Sequence, residues 1–270
     1  MNKKLGISIP LKAKSVSSDW KKVCENLWLT LQSLEQQSHE QFSWVVVGHD
    51  EPEFFKDNAF TFGHFISAQE ISSPQREKYS GDELRWEFEK DRCYKIDKGI
   101  HALLDTGHSH FFVLDADDLL HRDFVQEWYD NSDKDAMLIQ HGYMYFAQSH
   151  TLIPNFQLSA WCGSTCVVSK NFLDAEFIEK QSNATSFFKQ TSHCDFKRVL
   201  EQSGKPLHIP KKKLLVYMQD NGENISTLDK TYGPLKAFIV ECKKRLKLFI
   251  LGLGSEQSVL REFGVSSCVE

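Results

Sequence analysis

The stretch Phe111-Phe112-Val113-Leu114-Asp115-Ala116-Asp117-Asp118 constrains this chain more than any other. Four apolar residues in an unbroken run read as a strand buried on both faces, of the kind found inside a parallel sheet covered by helices on either side. Three carboxylates follow within four positions. Open α/β sheets bind ligands beyond the carboxyl ends of their strands, so this spacing delivers Asp115 and Asp117 into the expected crevice. Acids massed there repel one another unless a cation joins them. Hard divalent ions such as Mg²⁺ or Mn²⁺ take oxygen ligands, are held by one or two carboxylates, and complete their shells with water and phosphate oxygens. The feature predicts a metal that grips a phosphorylated ligand. The competing reading is local: Asp118 or Asp123 could serve only as a cap for a helix over Asp123–Tyr129. A calcium loop of the EF-hand type does not fit, because Leu119 stands where Asp or Asn is needed and Leu120 where Gly is needed.

The residues before this strand alternate between two periods. Leu5–Pro10 reads as a strand, and Ser17-Ser18-Asp19 offers an N-cap for a helix that carries Trp20, Val23, Leu27, Leu31 and Leu34 on one face. Phe42–Gly48 reads as a second strand and Ala59–Ser67 as a third. Gln69–Lys90 is polar enough for a surface loop with some helix near Glu83–Glu89. A helix over Asp91–Leu104 places Ile96, Ile100 and Leu103 on one side and ends near Gly107. Strand, helix, strand, repeated, is the pattern of an α/β fold with a mostly parallel sheet flanked by helices. Asp50, just past the second strand, would reach the same edge as Asp115, or else serve as a turn residue before Pro52.

At 270 residues the chain suits one large α/β domain with a small appendage, and we place the division at 1–230 and 231–270. The formal charge of −5 leaves no footprint for nucleic acid. Seven cysteines, an odd number, argue for reduced thiols and a cytoplasmic setting. Cys162 and Cys166 have no second pair with which to make a zinc site. Leu5–Leu11, interrupted by Ser8 and Pro10, is too short and polar for a signal peptide or a membrane span. The tail Leu235–Leu253 forms a basic amphipathic pattern. It suits peripheral contact with the inner face of a membrane, where a lipid-linked acceptor would be met, or packing on the protein's own body, which we favour.

Three pieces of the chain together resemble the GT-A fold nucleotide-sugar glycosyltransferases, in particular the family-two group and its rhamnosyltransferase-like relatives. They are Ile7-Ser8-Ile9-Pro10, the segment Gly99–Asp118, and the run His193–Ser226, and they span residues 5–226. The resemblance implies a GT-A-like sheet, a nucleotide-sugar donor, a divalent metal (Mn²⁺ or Mg²⁺), and a saccharide, lipid-linked or protein acceptor. It implies that Asp115 and Asp117 engage the ribose and the metal on the donor diphosphate, with Asp118 in support. Pro10 and Asp50 match positions that hold the nucleobase. Asp195, before a helix over Phe196–Gln202, matches the general base of an inverting transfer; on its own it could equally cap that helix.

The chain also departs from the family's pattern. Gln219-Asp220-Asn221-Gly222 replaces a His-Gly whose histidine binds the metal, so Asp220 or an additional water must serve. Lys95-Ile96-Asp97 replaces Ala-Arg-Asn before Gly99, and Arg92 and Lys95, three apart on one helix, are the basic residues that could aim charge at a diphosphate. Trp161-Cys162-Gly163-Ser164 with Tyr143 and Tyr145 could stack on an acceptor sugar. Two alternatives remain: a GT-A-like module that binds nucleotide sugars without turnover, and a haloacid-dehalogenase-type phosphatase, which places its Asp-x-Asp strand much earlier.

Overall fold

The computed structural model describes residues 3–57, 60–181, 184–219 and 256–264. The strands are β1 (Leu5–Pro10), β2 (Phe42–Gly48), β3 (Gly63–Ser67), β4 (His110–Val113), β5 (Leu119–Leu120), β6 (Ala136–Leu138), β7 (Gly142–Phe146), β8 (Thr151–Asn155), β9 (Cys166–Ser169), β10 (Leu207–His208) and β11 (Leu215–Gln219). The helices are α1 (Trp20–Glu35), α2 (Phe54–Asp57), α3 (Gly81–Asp105), α4 (Phe124–Asp130), α5 (Ala175–Ile178), α6 (Phe187–Gln190) and α7 (Phe196–Gln202), with a last one at Glu256–Arg261.

Seven strands form the main sheet in the order β10-β6-β9-β4-β1-β2-β3. Only β9 runs antiparallel to its neighbours β4 and β6; the other pairs are parallel. The fold is α/β, with a mostly parallel sheet flanked by helices, as the alternating periods predict. The apolar run before the acids explains its layering. Phe112 and Leu114 join Ile7, Ile9 and the α1 residues Leu27, Leu31 and Leu34 in one core. Phe111 and Val113 join Val45, Val47 and the α3 residues Ile96, Ile100 and Leu103 in the other. Successive side chains of a strand point to opposite faces, so an uninterrupted run serves both layers. Each fully buried Phe or Leu contributes about 1.5–3 kcal/mol by leaving water.

Helix α3 joins what the sequence reading kept apart: the helix near Glu83–Glu89 and the helix over Asp91–Leu104 are one helix of 25 residues, preceded by an irregular stretch over 69–80. Phe88 is buried against Ala13 and Val16, and that contact extends the helix back through the charged stretch. Gly99 lets it sit directly on β1, since a Cβ there would come within 2.2 Å of Ser8 Oγ. The third strand spans Gly63–Ser67, and residues 60–62 before it are not part of it.

A second sheet, in the order β5-β11-β7-β8, has no counterpart in the sequence reading. Strand β11 pairs parallel with β7 and antiparallel with β5, which follows the acids directly. Phe263, after the last helix, is buried with Leu119, Tyr145, Leu152 and Val216 of this sheet. His121 Nε2 meets Glu262 at 3.3 Å. The chain's described end is therefore part of the body. The boundary at 230/231, the basic segment Leu235–Leu253 and the loop Asp220–Ser226 lie outside the described residues. Among the described residues, no helix is long and apolar enough to cross a membrane.

Candidate active site at the carboxyl edge

Strand β4 keeps its place beside β1 as far as Leu114, whose N–H donates to Ser8 O at 3.0 Å. The chain then turns, and Asp118 N–H closes the turn on Asp115 O at 3.1 Å. The acids separate into two kinds. Asp118 is fully buried and accepts from Ser164 Oγ at 2.6 Å, Cys162 Sγ at 3.2 Å and Met218 N at 3.1 Å. Burial, then the charges of Asp117 and Asp115, push its carboxyl well above the usual carboxylate range. Asp118 is thus a brace and not a helix cap; Asp123 occupies the cap position of α4, without a side-chain cap bond. Asp115 remains about a third exposed, with its own N–H held by Ser164 Oγ at 2.9 Å. Asp117 is partly exposed beside it.

Arg92, on α3, donates from Nη2 to Asp115 Oδ1 at 3.0 Å, and both side chains keep about 30% exposure. Burial would depress its guanidinium, but Asp115 and Glu89 hold the pKa above the ordinary arginine value. Tyr217 on β11 is raised as well, by burial first and then by Cys162 and the three acids. His193, in the turn His193–Asp195, is depressed by burial while Asp115 pulls the other way.

The other predicted residues divide. Pro10 ends β1 opposite Val47, and Asp50 Oδ2 accepts from Lys14 N at 2.8 Å, so both frame the carboxyl ends of β1 and β2. Lys95 requires correction as a donor contact. Its side chain is 1% exposed and its ammonium is spent on Leu11 O at 2.8 Å and Asp91 Oδ2 at 2.5 Å, so it does not face the cleft. Burial lowers its pKa, with Asp91 opposing. His49 Nε2 donates to the other oxygen of Asp91 at 2.7 Å, which ties α3 to the ends of β1 and β2. The pairing of Lys95 with Asp91 and His49, and the bracing of Asp118 by Ser164 and Met218, carry no signal in the sequence.

Asp195 stands at the head of α7 without capping it. Its Oδ1 accepts from Arg198 Nε at 3.1 Å and Nη2 at 2.8 Å, and the carboxylate is 46% exposed. Cys194 Sγ, next to it, contacts Ala160 O at 3.7 Å. Of the aromatics considered for an acceptor, Trp161 is exposed, whereas Tyr145 is buried with its hydroxyl near His150 Nδ1 at 3.2 Å. Tyr143 packs edge-on against Phe263.

The donor set fits a hard cation shared with phosphate. Asp115 and Asp117 are partly exposed carboxylates at the mouth, while among the described residues no three of His, Cys, Asp and Glu gather to hold an ion by themselves.

No family model and no curated protein matches the chain. Among solved structures it is similar to S. aureus TarS 1-349 in complex with UDP, at 14% identity and a TM-score of 0.45, over 80% of this chain and 60% of that one. It is similar to HddC from Yersinia pseudotuberculosis, at 14% identity and 0.43, over 82% and 96%. A third is the manganese complex of Rv0371C from Mycobacterium tuberculosis H37Rv, at 7% identity and 0.37, over 81% and 90%.

Proposed function

We propose that this chain is a metal-dependent glycosyltransferase of the GT-A type, which moves a sugar from a nucleotide-sugar donor to an acceptor hydroxyl with inversion. The observation that carries this reading is the division of labour within Asp115–Asp118. One carboxylate is locked inward as a brace, and two remain at the carboxyl edge of a parallel sheet with an arginine against one of them.

Asp115 and Asp117 would hold Mn²⁺ or Mg²⁺, which supplies positive charge against the charge that grows on a departing nucleoside diphosphate. Arg92 adds a cation from the α3 side of the same cleft. Pro10 and Asp50 flank the place for the nucleobase. Asp195 takes the proton of the attacking hydroxyl, and to do so its carboxylate must turn from Arg198 toward the acceptor. Trp161, exposed beside Cys162–Ser164, gives a face on which a sugar ring can stack. The acceptor is a saccharide, free or carried on lipid or protein. The odd count of seven cysteines in the sequence is the ground for placing the protein in the cytoplasm.

The test is a thermal-shift screen of UDP-, GDP- and dTDP-sugars with and without Mn²⁺, since a ligand that binds the folded form raises its melting point. Asp117→Ala should abolish the metal-dependent shift. Asp195→Ala should keep the shift and lose transfer; normal transfer by that variant would remove Asp195 as base. The Arg198 fork on Asp195 favours a second reading, a binding module without turnover. That reading predicts the same shifts with no nucleotide released to any acceptor or to water.

A further inference from the structure

Of the two basic α3 residues considered for the donor, Arg92 reaches the acids and stays accessible, whereas Lys95 is buried against Asp91. Among the described residues the pairing of Arg92 with Asp115 is a single hydrogen bond, Nη2 to Oδ1, although a guanidinium carries five N–H donors and commonly grips a carboxylate with two. This one-point contact leaves Asp115 Oδ2 outside the pair and lets the guanidinium turn its other donors toward an anion. The floor beneath the pair is Gly163, where a Cβ would come within 3.2 Å of Arg92 Nη2 and 3.6 Å of Asp115 Oδ2. Glycine there leaves both groups room to pivot.

Resting on the glycosyltransferase reading, we propose that Arg92 is a positioning residue that makes the binding of the divalent cation and of the nucleoside diphosphate interdependent. A cation held by Asp115 and Asp117 would stand near the guanidinium, which is 3.0 Å from Asp115 Oδ1, and like charges repel. A diphosphate that meets both relieves the repulsion and offers Arg92 a bidentate partner. Arg92 thus opposes the metal alone, favours the nucleotide alone, and admits the two together. Because coupling between two ligands is reciprocal, each raises the other's affinity by the same factor.

The experiment measures Mn²⁺ affinity by electron paramagnetic resonance and nucleotide affinity by calorimetry, each alone and together. UDP, GDP and dTDP serve as probes, corrected for the Mn²⁺–nucleotide complex in solution. Wild type, Arg92→Met and Arg92→Lys are compared, and thermal unfolding reports whether each variant is folded. The expected signature is a pair of opposite changes. Arg92→Met binds Mn²⁺ alone several-fold more tightly, binds nucleotide without metal more weakly, and loses about tenfold in the coupling factor, within the usual range of such couplings. Arg92→Lys keeps the charge but not the fork, so its Mn²⁺ affinity stays near wild type while nucleotide binding weakens. A merely structural role would weaken both ligands together. That result, or an unchanged Mn²⁺ affinity in Arg92→Met, overturns the proposal and leaves the glycosyltransferase reading standing. A wild-type protein that binds none of the three diphosphates in the presence of Mn²⁺ overturns the glycosyltransferase reading itself.

Discussion

Replacing Asp91 by alanine is the most exacting test of how the cleft is held. Lys95 is 1% exposed, with its ammonium 2.5 Å from Asp91 Oδ2 and 2.8 Å from Leu11 O. Taking away the carboxylate leaves a buried cation with one carbonyl, and His49 loses its partner too. Breaking a buried pair in this way costs about 3–5 kcal/mol. The lysine can escape only by losing its proton. From an ordinary value of 10.5, doing so at pH 7 costs about 1.4 kcal/mol per pH unit, which limits the loss to roughly 5 kcal/mol. Urea denaturation at pH 7 measures it. Adding Lys95→Met to Asp91→Ala removes the stranded charge and should recover at least about 2 kcal/mol in a double-mutant cycle. The pH dependence has a definite sign. Folding depresses the lysine's pKa, so the penalty is fully present below the folded value and is relieved as pH rises toward 10.5. The deficit of Asp91→Ala should therefore shrink between pH 7 and pH 10. A loss below about 1 kcal/mol, or strictly additive single variants, would refute the reasoning.

Three further outcomes are expected. Burial depresses His108 to about 4 from 6.5, and its Nε2 has no partner among the described residues; its contribution is complete above pH 6.5 and lost as pH falls toward 4. Urea titrations should find wild type about 2 kcal/mol less stable at pH 5 than at pH 7 through this residue, with the slope reduced in His108→Asn. Asp118→Ala strips the acceptor from Ser164, Cys162 and Met218 and should cost about 3 kcal/mol by denaturant titration, whereas an unchanged midpoint would deny its bracing role. Gly163→Val crowds Arg92 and Asp115 and should weaken the Mn²⁺-dependent nucleotide shift at least about tenfold; undiminished binding would place the ligand elsewhere.

The main sheet was legible because its signals are local and strong. Leu5–Pro10 and Phe42–Gly48 fall where periodicity puts them, the helix Phe196–Gln202 falls where the family resemblance puts it, and the apolar run into Asp115 is a strand with two buried faces, as its length suggests. What escaped depends on partners far away in the chain. Asp91 and Lys95 look like a solvated helix face until the end of β1 supplies a carbonyl and β2 a histidine, and only then is α3 seen to bury charge. In a turn, alternation no longer tells which acid faces inward, so Asp118 could be separated from Asp117 only once Ser164 and Met218 were in place. The small sheet rests on β11 pairing with β7 across some seventy residues and on a two-residue β5, neither of which leaves a periodic trace. In Trp161-Cys162-Gly163-Ser164, read as a place for an acceptor sugar, Cys162 and Ser164 brace the acids, a role that only the fold reveals.

Asp118 has one further consequence, in time more than in space. Its hydroxyl donor comes 46 residues later in the chain and its amide donor 100 residues later. During synthesis from the ribosome, the acid turn emerges well before the groups that set it. Until Met218 has been made and β11 has paired with β5, Asp118 lacks one of the three donors that hold it, so the acid turn is completed only late in synthesis.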